Sequence, residues 1–260
     1  MCILHELLLS WQAQLITHKY FGWRVTPAGP TPYYKNQNEF AMKPLFTILL
    51  LSVAGLCFGQ TVIYDPHVKI RKMECPFHAI EVTDGITVHI TPAQEASVAV
   101  SVSHKGWEDK VKTVIRNGEL HVYLEETWRF WEKPKKLKVN VYVGYTQLRA
   151  LNAYMGAIVK GEVKADNLEI GQSTGAALWL TGRLTTLHAK ATMGALLNGY
   201  GLQVDKAMLR ADSGAAIDLT VEEELMVVAG TGGQVSYRGN AQLKEAKVSM
   251  GGNVRKTEGK

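Results

Sequence analysis

Six glycines, Gly156, Gly175, Gly194, Gly214, Gly232 and Gly251, follow one another at intervals of 19, 19, 20, 18 and 19 residues. No other feature constrains the fold as strongly, because the flanking positions repeat with them. Five residues before each glycine stand Leu151, Ile170, Ala189, Leu209, Val227 and Ala246, all apolar. Three before stand Ala153, Gln172, Ala191, Ala211, Ala229 and Val248, apolar except for Gln172. The position between them is mostly polar: Asn152, Gly171, Lys190, Arg210, Val228 and Lys247. Alternation with a period of two marks a strand with one buried face. Directly after each glycine comes a tiny residue: Ala157, Ala176, Ala195, Ala215, Gly233 or Gly252. Two positions further comes a branched apolar one: Val159, Leu178, Leu197, Ile217, Val235 or Val254.

Each unit therefore reads as strand, glycine corner, strand and return. One unit cannot bury its apolar columns alone, but units stacked about 4.8 Å apart bury them against each other and complete the backbone ladder. Glycine suits the corner because it reaches positive φ and because neighbouring backbones can approach closely. Successive strands must run parallel, and parallel crossovers are overwhelmingly right-handed. The expected fold is all-β: a right-handed parallel β-helix, or β-solenoid, of about 19-residue coils over residues 148–255. Helical repeats need about 33 residues or more and a period of 3.6, which is absent.

Residues 61–147 lack a clear repeat but are β-rich. Ile86–Ile90 and Val98–Val102 alternate, and Asn117-Gly118 between Val111–Arg116 and Glu119–Leu124 predicts a hairpin. Lys138–Val143 leads into the first coil. This part is expected to continue or cap the solenoid, shielding an open apolar edge.

Ahead of it, Met42-Lys43-Pro44 precedes the apolar run Leu45–Leu56 and then Cys57-Phe58-Gly59. A short basic start, an apolar stretch too short to span a bilayer and small residues at the cleavage positions form a secretory signal peptide over 42–59. Residues 1–41 then read as an upstream extension translated from a misplaced start codon. Leu56, where a lipid-accepting cysteine needs a small neighbour, argues against lipidation of Cys57. The expected location is the periplasm, the outer surface or the extracellular space, with no transmembrane segment in the mature chain. Cys75 is then the lone mature cysteine, read as a small buried hydrophobe.

Charge excludes one class of partner. The chain carries a formal net +5, and removing Lys19, Arg24, Lys35 and Lys43 with Glu6 and Glu39 leaves a smaller basic excess. That predicts no nucleic-acid partner.

The segment Glu125–Lys136 holds Trp128, Phe130 and Trp131 among charges. With Trp179 these aromatics are candidate contacts for a glycan or an envelope protein, against the alternative of a loop folded over an apolar end.

The chain also resembles a known family, the auto-transporter adhesins with a head GIN domain. The resemblance rests on Phe77-His78-Ala79-Ile80-Glu81-Val82, on Asn117-Gly118-Glu119-Leu120 and on the corners Thr174-Gly175-Ala176, Ser213-Gly214-Ala215 and Thr231-Gly232-Gly233. Tyr237-Arg238-Gly239 is similar to a late phrase of the family. The likeness covers about residues 75–255. Met155, Met193 and Met250 depart from the serine usual at the corners, and Asn240 from a proline. The resemblance implies a β-helical fold and an envelope or surface location, and it brings no catalytic or binding residues with it.

Reactive constellations are scarce. Asp212 and Asp218 straddle one corner, but the matching positions in adjacent coils are Thr192, Gly230, Asn198 and Ser236. Glu222-Glu223-Glu224 reads as a solvated return loop. His67, His78, His89, His104, His121 and His188 show no paired metal-ligand spacing. No phosphate loop or dinucleotide fingerprint occurs. The expectation is a non-enzyme without cofactor or metal: an exported adhesive, binding or scaffolding module of the cell envelope. A carbohydrate-active enzyme on a parallel β-helix and a self-associating structural protein are the alternatives.

Overall fold

The computed structural model describes residues 69–71, 75–125 and 137–258. The segments 1–59 and 126–136, on which the export signal and three of the candidate aromatics fall, lie outside the described residues. The described chain is a β-solenoid of parallel coils with an antiparallel cap at its N-terminal end.

Fifteen strands form one wound sheet: β1 (Lys69–Arg71), β2 (Ala79–Val82), β3 (Thr87–Pro92), β4 (Ser97–Val102), β5 (Val111–Arg116), β6 (Glu119–Leu124), β7 (Val139–Tyr145), β8 (Ala150–Ala153), β9 (Ile158–Gln172), β10 (Ala177–Ala191), β11 (Leu196–Ala211), β12 (Ala216–Ala229), β13 (Gln234–Arg238), β14 (Gln242–Val248) and β15 (Asn253–Lys256). From β9 to β12 each coil is one long strand that bends midway, paired in parallel with the next. The expected return loop is therefore strand. Glu222, Glu223 and Glu224 lie inside β12, where alternating burial lapses after Val221 and resumes at Leu225 as the strand turns onto a new face.

The corners are β-turns. The amide of Ala157 donates to the Tyr154 carbonyl at 3.1 Å, and Met155 and Gly156 hold φ of +54° and +71°. Two consecutive positive φ values define a type I′ turn. Consecutive corners are wired together, since Gly156 donates its amide to Thr174 O, Gly175 to Met193 O, Gly194 to Ser213 O, Gly214 to Thr231 O and Gly232 to Met250 O, all at 2.9–3.1 Å. A Cβ built on Gly156 would meet nothing within 4 Å. The corner glycine is thus needed for its φ, and close approach belongs elsewhere. At Gly182, in the middle of β10 with φ +120°, a Cβ would stand 2.0 Å from the Val163 carbonyl oxygen.

A seventh corner precedes the six. Asp84 and Gly85 hold φ of +63° and +71°, and Gly85 donates to Met155 O at 3.0 Å. Ile80, Val82 and Val88 fill its inward columns, so β2 and β3 form the first coil. The chain then makes a long detour before β8. Within it β6 pairs in parallel with β2, and β7 with β3. Antiparallel β5 covers β6, antiparallel β4 covers β7, and β1 in turn pairs antiparallel with β4. The expected cap is present and is built by reversing strand direction. The β5–β6 hairpin turns at Asn117-Gly118 with φ of +52° and +76°.

The inward columns are buried as expected through the first five of the six corners, but Ala246 and Val248 on β14, whose one strand partner among the described residues is β12, are exposed. Leu151, Ile170, Ala189, Leu209 and Val227 line one, and Val159, Leu178, Leu197, Ile217 and Val235 another. Burying each large aliphatic side chain contributes about 1.5–3 kcal/mol. Gln172 is the polar member of its column and is 2% exposed, and neither its Nε2 nor its Oε1 has a hydrogen-bond partner. Cys75 corrects the expectation of a buried thiol: it is free and exposed, and the buried position just before β2 is taken by Phe77 instead. No helix among the described residues is long and apolar enough to cross a membrane.

Candidate functional site

The fourth residue after each corner glycine faces outward, and parallel register stacks these residues into one column. Strand pairing orders it as Tyr142, His89, Lys160, Trp179, Asn198, Asp218, Ser236 and Arg255. Its first four members form a continuous aromatic and cationic strip. The rings of His89 and Tyr142 stack with centroids 5.1 Å apart and planes 18° from parallel. The Lys160 ammonium sits 5.2 Å from the centroid of Trp179, within the range of a cation–π attraction. Trp179 remains 37% exposed.

Electrostatics shape the strip. Burial holds His89 below the ordinary imidazole range, and the Lys160 charge lowers it further. A neutral imidazole is what stacking next to an ammonium requires, since an imidazolium would repel it. Further along, Tyr200 donates its hydroxyl to Asp218 Oδ1 at 3.2 Å and carries the Arg238 guanidinium 4.0 Å from its ring centroid. Beside the strip opens a shallow groove of about 460 Å³ lined by Ser97, Ala99, Tyr142, Gly144, His89 and Lys160. A larger groove of about 930 Å³ lies where the coils bend, with His78, Arg149, Lys164, Asp166, Glu169 and His188 among its walls. It has charges of both signs and no Phe, Tyr or Trp in its lining.

Of the sequence candidates, Trp179 takes a central place in the strip, while Trp128, Phe130 and Trp131 lie outside the described residues. Tyr142, His89 and Lys160 were not singled out by sequence reasoning. His89 could have been found, because it stands four residues after Gly85 as Lys160 stands after Gly156. Nothing in the sequence aligns Tyr142 with that column.

The carboxylates that straddle a corner are engaged in structural contacts. Asp212 Oδ2 lies 2.7 Å from Arg210 Nε, and Asp218 accepts from Tyr200. Glu222 accepts from the Asn240 side chain at 3.2 Å, and Glu224 lies 3.9 Å from Lys206. The lack of paired histidine spacing conceals a cluster, among the described residues, that could hold a metal: Glu81, Glu119 and His121 bring ligand atoms within 4.8 Å of one another across β2 and β6. Tyr154 has its hydroxyl pushed above the ordinary range, by burial first and then by the charges of Glu81 and Glu119.

No curated protein matches the chain at a significant level. Among solved structures the fold is similar to that of a putative adhesin from Bacteroides fragilis, at 12% identity over 74% of this chain and 95% of that one, with a TM-score of 0.46. It is similar to a putative adhesin from Parabacteroides merdae, at 12% identity over 73% and 95% with a TM-score of 0.44. It is also similar to a putative lipid binding protein from Parabacteroides distasonis, at 13% identity over 74% and 98% with a TM-score of 0.42. The family model described as "Putative auto-transporter adhesin, head GIN domain" matches residues 76–241, from just before the first coil to the bend after β13. The chain belongs to that family.

Proposed function

We propose that the protein is a non-enzymatic, adhesin-like module, exported through the segment 42–59 to the cell envelope or beyond, and that it binds a glycan along the outward column of Tyr142, His89, Lys160 and Trp179. The observation that carries this reading is the strip itself, with aromatic faces and an ammonium held at strand spacing on a rigid ladder. Sugar rings present C–H faces that stack on aromatics and hydroxyls that bond to polar neighbours such as Asn198. Strand spacing of about 4.8 Å is close to the length of one sugar ring, so an extended polysaccharide can meet successive rungs. The engagement of Asp212 and Asp218 in structural contacts supports binding without hydrolysis.

A glycan array probed with the full chain tests the reading. The expected result is binding that weakens about tenfold in Trp179→Ala and in Tyr142→Ala, a loss of about 1.4 kcal/mol. Absence of glycan binding, or binding indifferent to both substitutions, overturns it. Capture of an envelope protein through the same residues would replace the ligand class. Sugar release from envelope polysaccharide would overturn the non-enzymatic reading.

Self-association is a second reading, favoured by one observation. The last strands expose Leu243 and Val248, and Met250 at the final corner is 80% exposed. Exposed apolar edge strands invite pairing with another chain. Light scattering of the full chain tests it, and a strict monomer at high concentration speaks against it.

A further inference from the structure

We propose that Glu81, Glu119 and His121 form a binding site for a divalent transition-metal ion of the Zn²⁺ type, which clips the β5–β6 hairpin onto the first coil. Parallel register creates the site. His121 on β6 lies opposite Glu81 on β2, and Glu119 lies two residues before His121, on the same outward face. The imidazole bridges the two carboxylates, with Nδ1 3.1 Å from Glu81 Oε1 and Nε2 3.8 Å from Glu119 Oε2. The side chains of His121, Glu81 and Glu119 are 22%, 33% and 28% exposed, partly sheltered and open to entry from solvent.

The charge pattern sets this cluster apart. At several other places on the ladder a carboxylate is met by lysine or arginine, as Asp212 is by Arg210, Asp205 by Arg183 and Glu224 by Lys206. Among the described residues Glu81 and Glu119 have no lysine or arginine salt-bridge partner, and the side chain that lies between them is the His121 imidazole. Two converging carboxylates without a fixed cation repel one another, and a bound dication reverses that sign. Asn152 on β8, the next rung, donates its Nδ2 to Glu119 Oε1 at 3.2 Å and so orients the carboxylate, as supporting hydrogen bonds do around metal ligands.

One imidazole nitrogen and two carboxylate oxygens are a donor set suited to Zn²⁺, with a fourth position left for water. Ligand atoms around tetrahedral Zn²⁺ stand about 3.3 Å apart, given bonds of about 2.0–2.1 Å. The present spread of up to 4.8 Å closes by side-chain rotation of the two glutamates. The ion would join residues 81, 119 and 121, and so tie the inserted hairpin to the coil that starts the solenoid.

The experiment is a calorimetric titration of the full chain, stripped with chelator, with Zn²⁺ alone. One ion per chain is expected, with affinity at least tenfold lower in His121→Ala and in Glu119→Gln, and unchanged in His104→Ala and Cys75→Ser. Far-UV circular dichroism establishes that each variant keeps the β fold. Zn²⁺ at about a hundredfold excess over Kd is expected to raise Tm of the wild type by about 5 °C or more, and that of His121→Ala by much less. Failure to bind, binding that survives both site substitutions, or binding abolished by Cys75→Ser overturns the proposal. So does equal displacement by Ca²⁺, which would mean that the imidazole takes no part.

Discussion

The amide of Gly156 donates to the carbonyl of Thr174 at 2.9 Å, and Thr174 holds φ at +52°. This corner therefore holds a β-branched residue in the left-handed region. Met155, Met193, Ser213 and Met250 share the conformation. For residues other than glycine, asparagine and aspartate it costs roughly 1–2 kcal/mol. Asparagine tolerates it best, so Met193→Asn is expected to stabilise the protein by about 0.5–1 kcal/mol. Met193 is exposed, and its sulfur accepts a weak contact from the Thr174 hydroxyl at 3.8 Å. Thermal unfolding checks this, and a lowered Tm would show that the side chain, not the backbone, governs the corner.

Gly182 and Gly156 both have positive φ, yet they should respond very differently to alanine. Gly156→Ala meets open space and carries only the backbone cost, about 1–2 kcal/mol. Gly182→Ala drives a methyl into the Val163 carbonyl of the neighbouring coil. It should cost about 3 kcal/mol or more, or block folding. Denaturant unfolding of the two variants side by side measures the gap, and equal losses would contradict the steric account.

The contrast explains what was legible in the sequence. Corner glycines announce themselves because the φ requirement recurs in every coil, with inward residues at fixed offsets. Gly85 obeys the same offsets through Ile80, Val82 and Val88, but it was hidden. It lies 71 residues before Gly156, and Ile86 stands where the other coils have alanine or glycine. An insertion breaks periodicity without breaking register, and only pairing in space restores it. The same holds for the outward strip. Lys160 and Trp179 are one period apart, whereas Tyr142 reaches the column through β7, far from its repeat position. Glu81, Glu119 and His121 likewise meet through strand pairing between segments about 40 residues apart, which no local spacing encodes. The bend of β12 at Glu222–Glu224 looked like a loop because a strand that changes face loses its alternation there.

Gln172 breaks the inward column and leaves both amide atoms without partners at 2% exposure. Its column neighbours Ala153 and Ala191 are apolar and offer no side-chain hydrogen bond. A buried polar group without a partner costs about 1–3 kcal/mol. Gln172→Met keeps the length and removes the amide, so it is expected to stabilise the solenoid by about 1–2 kcal/mol. Urea denaturation tests it. Destabilisation by methionine would mean that the amide is solvated inside the core by a bound water that the substitution displaces.

His89 ties the surface strip to pH. Burial, and then Lys160, hold its pKa in the folded protein below that of a free imidazole, about 6.5. The unfolded chain therefore takes up a proton first as the pH falls. By linkage the contribution of His89 is neutral well above pH 6.5, turns unfavourable as pH falls through about 6.5, and levels off below the folded pKa. NMR titration of the His89 ring should give a value below that of a model peptide, and Lys160→Ala should recover part of the shift. Because the imidazole stacks on Tyr142 beside an ammonium, ligand binding along the strip should weaken as His89 becomes charged. His89→Phe keeps an aromatic ring and removes the proton site, so it should bind at neutral pH and lose that pH dependence. A titration curve for His89 at or above the free-imidazole value, or unchanged pH dependence in His89→Phe, would remove His89 as the pH-sensitive member of the strip.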